Sequence, residues 1–300
     1  MKVLITGITS LLGLGLLSTK PKDVHIVGTF FKNTKSNVLN KITCYKLDVT
    51  DKKAIEKIFL KIKPSVFIHN ASIGNVDYCE KHKREAFKMN VLSTKYFIEI
   101  CKKNNCRFIF PSTNAIFNGL NPPYNIKSIP SPLNYYGKTK VMSEELIQSS
   151  KIDHVIVRMI LMYGWNEKFE RQNAVTWLLT LLHKGNTIPL VNDTYTNPLY
   201  NVEAGRAMWK MIKKRGNWIY HIAGKTRVNR YEFGVLTANV FKYNKQLLKP
   251  VTSDFFKGIA RRMPDTTYDT SQMEKELYIH PLSLVKGLKN MLQNKPTYYE

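Results

Sequence analysis

Tyr136-Gly137-Lys138-Thr139-Lys140 sets a tyrosine and a lysine four residues apart on a predicted helix. At that spacing both side chains leave one helix face. A lysine ammonium beside a phenol favours the phenolate and draws down a pKa that otherwise sits near ~10. Tyr136 is thereby a candidate proton donor and acceptor near neutral pH. A Y-x-x-x-K spacing alone is a weak signal, common on surface helices. Here the chain also opens with an apolar strand, Val3-Leu4-Ile5, that runs into a turn carrying Gly7 and Gly13. Together the two features imply hydride chemistry with a nicotinamide cofactor.

The turn, Thr6-Gly7-Ile8-Thr9-Ser10-Leu11-Leu12-Gly13, joins the first strand to the first helix. Glycines there permit a tight bend and close backbone approach to a pyrophosphate at the positive end of the helix. An ordinary strand–helix turn uses glycines too, but position and context favour a nucleotide. Gly7, Thr9, Ser10, Leu11, Leu12 and Gly13 are therefore candidate cofactor residues. An acid at the end of the second strand would take the ribose 2′-hydroxyl and select NAD. That strand ends Gly28-Thr29-Phe30-Phe31-Lys32 with no acid in reach. Lys32, together with Lys35, can meet a 2′-phosphate, so NADPH is the expected cofactor and NADH the alternative. In so lysine-rich a chain either lysine also reads as solvated surface. Asp48, in Leu47-Asp48-Val49-Thr50, can accept a hydrogen bond from the adenine amine.

The elements that must hold these residues alternate short apolar strands with helical stretches. Strands are predicted at Val3–Ile5, Val24–Val27, Ile42–Leu47, Ser65–Ile68, Arg107–Phe110 and His154–Val157. Helices are predicted over 11–18, from Asp51, over 84–104 and over 135–148. Fully apolar strands alternating with helices imply an α/β fold, a doubly wound parallel (Rossmann-type) sheet with ligands at the strands' carboxyl ends. Past Met159 the pattern loosens, with helices over 177–183, 203–214, from Arg230 and over 281–292, and a strand over 187–191. The expected organisation is a cofactor-binding domain over 1–160 and a smaller α/β substrate-binding lid over 161–300, interleaved with the first. Residues 294–300 read as a loose tail.

Hydrophobic residues make up 43% of the 300, enough for a sizeable core and too many for a disordered chain. No apolar run approaches ~20 residues, so no membrane span is expected, and the apolar start is broken too early for a signal peptide. Cys44, Cys79, Cys101 and Cys106 form no C-x-x-C pair and no zinc spacing. Reduced thiols and a cytoplasmic location follow. The net charge of +24 is spread along the chain, whereas a nucleic-acid binder concentrates charge in a patch or tail. Nucleic acid is thus disfavoured as a partner, while a basic surface suits phosphate-bearing ligands. A homodimer is compatible with the chain.

Read in order, these pieces resemble the extended short-chain dehydrogenase/reductases, most nearly dTDP-4-dehydrorhamnose reductase and related nucleotide-sugar reductases. The likeness runs through the Gly7–Gly13 turn, Asp48-Val49, Asn70-Ala71-Ser72, Asn90-Val91 with Thr94, and Ser112 to Gly119. It continues through the Tyr136/Lys140 helix, Arg158, Tyr163-Gly164, Asn197-Pro198, Tyr220 to Gly224, and Arg262-Met263-Pro264 ahead of Asp269. The resemblance implies that Thr113 hydrogen-bonds the substrate carbonyl, Tyr136 donates the proton, and Lys140 binds the nicotinamide ribose. It implies that Asn70, Ala71 and Ser72 line the cofactor with Asp48 and Val49, and that Asn90 supports the site. Asn114 and Arg262 take substrate-facing positions. Trp165, Tyr195 and Asn197 are substrate candidates at the lid, although each reads equally as packing. The implied reaction is NADPH-dependent reduction of the C4 ketone of a nucleotide-linked 4-keto-6-deoxy sugar, in deoxysugar biosynthesis.

The chain also departs from the pattern. Ser10 stands where the family turn usually has glycine, so it either crowds the pyrophosphate or bonds to it. Asn114-Ala115 stand where the reductases usually have Asp-Tyr, which points to a different sugar. The Asp-Glu pair of the 4,6-dehydratases is missing, which disfavours dehydration. Cys79 and His82 only faintly suggest an epimerase, and His69 reads as a packed core histidine. A rival reading is a catalytically silent relative that binds cofactor and regulates a partner, as the regulatory subunit of methionine adenosyltransferase resembles this family. No metal site is expected.

Overall fold

Val3, Leu4 and Ile5 are fully buried at the centre of β1 (Lys2–Thr6), and their alternation divides the core. Val3 and Ile5 join one apolar cluster with Leu12 and Leu16, and Leu4 joins another with Phe67 and Phe97. A strand apolar on both faces is what a sheet covered on both sides requires. The computed structural model describes residues 1–32, 35–167, 170–214, 216–256, 258 and 260–297.

Helix α1 (Leu11–Ser18) follows, opened by Ser10, whose side chain accepts from the Gly13 amide at 3.3 Å. Next come β2 (His25–Phe30), β3 (Cys44–Lys46), α2 (Lys52–Ile62) capped by Asp51, and β4 (Val66–Ile68). The helix expected over 84–104 is present, interrupted only by a wide π turn, and a further short helix precedes it. The short helix is α3 (Val76–Lys81), and the expected one runs through α4 (Lys83–Phe87), the π turn over Lys88–Leu92 and α5 (Ser93–Lys103). Then β5 (Arg107–Thr113), α6 (Tyr135–Ser149) and β6 (His154–Met159) complete the first half.

The second half holds β7 (Met162–Tyr163), α7 (Ala174–His183), β8 (Ile188–Val191), β9 (Tyr195–Thr196), β10 (Leu199–Tyr200) and α8 (Asn201–Lys213). It continues with β11 (Trp218–Ile222), β12 (Val228–Asn229), α9 (Arg230–Phe241), β13 (Leu248–Val251), α10 (Ser271–Leu277) and α11 (Leu284–Gln293). Of the tail read from sequence, residues 298–300 lie outside the described residues.

Seven strands pair in parallel in the order β11-β6-β5-β4-β1-β2-β3. This is the doubly wound sheet that the alternation implies. The order reverses between β1 and β4, and ligands bind above such a switch point. Strand β11 was not foreseen, because Trp-Ile-Tyr-His-Ile lacks the plain aliphatic run that marks the other central strands. It lies beyond residue 160 yet pairs with β6, and α8 likewise packs on α1.

That α1–α8 contact is made backbone to backbone. A Cβ on Gly15 would lie 2.1 Å from the Asn201 carbonyl oxygen, and one on Gly205 would lie 2.3 Å from that of Gly15. Asn201 Nδ2 donates to the Leu11 carbonyl at 3.0 Å, and Trp209 Nε1 to that of Leu16 at 3.0 Å. The rest of the lid has its own core of Tyr163, Val175, Tyr200, Phe233, Leu288 and Met291. Among the described residues no helix is long and apolar enough to cross a membrane.

Gly15→Ala forces a methyl against backbone that cannot swing aside. The variant is expected to lose about 1–3 kcal/mol or more in urea unfolding, and an unchanged midpoint would contradict the contact.

Candidate active site

Helix α6 starts at Asn134, whose Oδ1 accepts from the Gly137 amide at 2.9 Å. Gly137 lets the helix press on the turn after β5, since a Cβ there would sit 2.1 Å from the Ala115 carbonyl oxygen. This approach brings the half-buried Tyr136 phenol within hydrogen-bond reach of the Thr113 hydroxyl at the end of β5. Thr113 Oγ1 also accepts from the Ala115 amide at 3.2 Å and donates to Asn114 Oδ1 at 3.3 Å.

Lys140 lies one turn on, almost fully buried. Its Nζ donates to the Pro111 carbonyl at 2.7 Å and sits 3.8 Å from the centre of the Phe110 ring. Burial pushes Tyr136 up to about 12, against the hydrogen bond from Thr113, and pulls Lys140 down to about 7, against the attraction of Glu144. The expectation that Lys140 lowers the tyrosine is therefore corrected. In the protein alone desolvation dominates, and the ammonium is engaged with β5.

The cofactor candidates after β1 and β4 are joined by hydrogen bonds. Gly7 has φ +62° and lies so close to Ala71 that a Cβ would meet its Cα at 3.3 Å. Thr6 Oγ1 accepts from the Ala71 amide at 3.1 Å, and Asn70 Nδ2 donates to the Gly7 carbonyl at 3.0 Å and to Ser10 Oγ at 2.7 Å. Ser10 Oγ thus accepts twice, from Asn70 and from the Gly13 amide, which leaves its proton to donate outward. The side chain is turned into the helix end rather than across it. The first-turn amides of Leu11 and Leu12 have no intrahelical acceptor, and Thr9 and Leu12 are buried beside them. These donors fit a pyrophosphate.

The other cofactor candidates are ordered in the same way. Asp48 Oδ1 accepts from the Thr50 amide and hydroxyl, each at 2.8 Å, and Val49 is buried beside it. Lys32 and Lys35 are exposed just past β2, and Asn33 and Thr34 between them lie outside the described residues. Asn90, on the π turn, is 2% exposed. It accepts from the Ile73 amide at 2.8 Å and donates to the Ile73 carbonyl and to Thr139 Oγ1, each at 3.1 Å. It thereby fixes the loop that carries the exposed Ser72.

Arg262, expected to face the substrate, lies on a strap over 260–269 whose ties across the two halves sequence reasoning missed. Asp77 holds it through the Ala260 amide at 3.0 Å and Arg262 Nη2 at 2.5 Å, and Asn114 Nδ2 donates to Thr266 Oγ1 at 2.7 Å. The Tyr195 amide donates to the Pro264 carbonyl at 2.7 Å. Pairs 152 and 185 residues apart leave no local signal. The ring of Tyr195 carries Arg227 at 3.7 Å.

Two lid candidates are packing instead. Trp165 Nε1 donates to the Met291 carbonyl at 2.6 Å within the lid core. Asn197 is buried, with both amide ends on the Tyr268 backbone at 3.0 Å. Also missed is a cavity of about 280 Å³ in the lid, lined by Trp177, Pro189, Val191, Phe233, Phe256 and Arg230. Burial, and then the nearby Arg262, pull Arg230 down to about 10, and no carboxylate pairs with it among the described residues.

His69 is a core histidine, with Nδ1 3.2 Å from Thr6 Oγ1 and Nε2 3.0 Å from Ser93 Oγ. Cys79 is buried on the Ile73 carbonyl at 3.3 Å, and burial pushes its thiol up to about 11, while His82 stacks on Tyr78. No cluster of metal-ligating side chains occurs among the described residues.

With this geometry in place, comparison with known proteins is informative. Residues 1–296 match the family model of the RmlD substrate binding domain. The chain belongs to that family. Among curated relatives it is 26% identical to methionine adenosyltransferase 2 subunit beta of Bos taurus, over 91% of this chain and 81% of that one. It is 25% identical to dTDP-4-dehydrorhamnose reductase of Aggregatibacter actinomycetemcomitans, over 82% of this chain and 86% of that one. A Bacillus anthracis dTDP-4-dehydrorhamnose reductase solved in complex with NADP superposes with a TM-score of 0.84 at 21% identity, covering 98% of this chain and 99% of that one. A hypothetical dTDP-4-dehydrorhamnose reductase from Sulfolobus tokodaii gives 0.82 at 26%, covering 95% and 98%. At such identities the superpositions bear chiefly on the fold.

His69 and His221 are both pulled down to about 3, chiefly by burial, so the folded chain keeps them neutral. The unfolded chain takes up these protons below about pH 6.5, so stability is lost as pH falls from there toward 3. The urea midpoint is expected to drop between about pH 7 and 5, by on the order of 1 kcal/mol per histidine per pH unit below about 6. A midpoint independent of pH in that range would refute it.

Proposed function

We propose that the protein is an NADPH-dependent reductase of the C4 ketone of a nucleotide-linked 4-keto-6-deoxy sugar. The observation that carries this reading is the meeting of Thr113, Tyr136 and Lys140 at the end of β5, beside the turn after β1. Bound cofactor would supply a hydride. The Ser10 hydroxyl and the amides at the start of α1 would bind its pyrophosphate, Lys32 and Lys35 its 2′-phosphate, and Asp48 its adenine. Lys140 would donate to the nicotinamide ribose.

Thr113 would hydrogen-bond the ketone oxygen, and Tyr136 would protonate that oxygen as it gains charge. A phenol pushed up to about 12 is in its acid form at neutral pH, which suits reduction. Tyr136→Phe keeps the ring and removes the proton. NADPH oxidation with the matching keto sugar is expected to fall about 10²–10⁴-fold, and turnover at the wild-type rate would exclude Tyr136 as donor.

The substrate's nucleotide would fill the lid cavity. Trp177 and Phe256 offer apolar aromatic walls, and Arg230 offers a cation with no carboxylate partner among the described residues, next to Arg262. Arg230→Met is expected to weaken binding of UDP or dTDP by roughly tenfold or more in calorimetry, in keeping with a charge-assisted bond of about 1.5–3 kcal/mol, with NADPH affinity unchanged. Equal nucleotide affinity in the variant would place the nucleotide elsewhere.

A second reading is favoured by the methionine adenosyltransferase 2 beta subunits among the relatives. In it the chain binds cofactor and regulates a partner enzyme. The two diverge on turnover, since cofactor binding without oxidation by any keto sugar in a broad panel would select the regulatory role.

A further inference from the structure

Two segments 130 residues apart meet at Glu167, on the loop between β7 and α7. Glu167 is 5% exposed. Its carboxylate accepts from the Asn37 amide at 2.8 Å and from the Ser36 hydroxyl. Ser36 is itself buried and also accepts from the Val38 amide at 3.2 Å. Val38 in turn packs in the core with Ile8 and Leu12, residues of the turn after β1. The long connection from the end of β2 at Phe30 to the start of β3 at Cys44 is thus pinned near its middle by a side chain of the lid half.

The lid end of this tie is equally fixed. Asn166 is buried, and its Nδ2 donates to the Glu167 carbonyl at 2.9 Å. Its Oδ1 accepts from Thr176 Oγ1 at 2.8 Å and from Asn173 Nδ2 at 3.0 Å. Asn173 caps α7, accepting from the Val175 and Thr176 amides at 3.1 and 3.4 Å. Glu167 therefore stands on a network rooted in a helix. Charge-assisted hydrogen bonds are about twice as strong as neutral ones. A carboxylate is thus a stiffer anchor than an amide or hydroxyl, at a greater desolvation cost.

What the tie holds is the segment that bears Lys32 and Lys35. Lys35 is joined to Ser36 by one peptide bond, and both lysines follow the carboxyl end of β2, the side of the sheet on which a dinucleotide ribose binds. A loop that must be ordered by its ligand gives up part of its contact energy to that ordering, and a loop pinned beforehand does not. We propose that Glu167 is a positioning residue for cofactor selection. From the lid half it fixes Ser36 and Asn37, and so holds the lysine-bearing segment against the 2′-phosphate that distinguishes NADPH from NADH. The proposal rests on the 2′-phosphate assignment made above.

The test titrates NADPH and NADH, followed by their fluorescence, into the wild type, Glu167→Ala, Glu167→Gln and Ser36→Ala. The two dinucleotides differ only in the 2′-phosphate, so the ratio of their affinities isolates that end of the site. The wild type is expected to prefer NADPH. In Glu167→Ala the preference falls about tenfold, with NADH affinity unchanged. Ser36→Ala removes a single hydroxyl and guards against a Glu167 variant that fails to fold, and it lowers the preference in the same direction by roughly threefold. Glu167→Gln keeps an acceptor for the Asn37 amide and stays within about threefold of the wild type. A merely structural role weakens both dinucleotides by one factor, and a carboxylate that only repels the phosphate gives a Gln variant with a raised preference for NADPH. Either result, or an unchanged preference in Glu167→Ala and Ser36→Ala, overturns the proposal and leaves the 2′-phosphate assignment standing. A wild type that binds the two equally overturns that assignment, and the proposal with it.

Discussion

The site depends on one close approach, that of the α6 backbone to the Ala115 carbonyl across Gly137. Any side chain at Gly137 would push the helix off β5 and carry Tyr136 away from Thr113. The neighbouring parts serve the same approach. Asn134 caps the helix from a buried position and also donates to the Arg261 carbonyl at 3.2 Å, so the helix start is tied to the strap. Asn90 bonds Thr139 on one side and Ile73 on the other, which ties the loop after β4 to the same helix. Two halves of the chain are thus referred to a single helix face.

Burial then decides the charge states on that face. Tyr136 is held as a phenol and Lys140 is drawn toward a neutral amine, the reverse of a simple picture in which a lysine activates a tyrosine. A reductase needs the phenol, because the tyrosine must give up a proton as the alkoxide forms. Glu144 with Arg158 forms the only buried ion pair on that helix face among the described residues. A like-charged neighbour such as His69 would work against Lys140, and its own burial keeps it neutral.

What was legible in the sequence was local. The turn after β1, the apolar strands of the first half and the Tyr136/Lys140 spacing are short-range patterns, and the doubly wound sheet follows from them. Where chemistry depends on contacts between distant segments, the residues gave no sign. Asn70 reads as a cofactor residue, yet its amide also reaches back 60 residues to bond the Ser10 hydroxyl, a tie that no local pattern shows. Trp165 and Asn197 look like cleft residues by type, but tertiary contacts engage their polar atoms. The π turn at Asn90 is invisible to helical periodicity because it inserts a wide turn inside an apparently continuous helix. Arg230 was hidden because one more basic residue carries little information in a chain with 46 of them.

Sequence identity does not separate the two readings of the chain, since 26% to the beta subunits and 25% to a reductase are equivalent. The separation has to come from side chains that matter to one reading alone. A chain that only docks cofactor needs the turn at Gly7 and Ser10 and a donor to the ribose such as Lys140, but has no use for a hydroxyl beside Tyr136. Here that hydroxyl is present, on Thr113. Lys140 and Glu144 are charges withdrawn from water, and Arg230 stands in an apolar cavity with no counter-ion among the described residues. Costs of that kind persist where a ligand offsets them. Ala115 does not weigh against catalysis, because it is buried at the α6 contact rather than facing the cleft. The balance of these features supports the reductase proposed above.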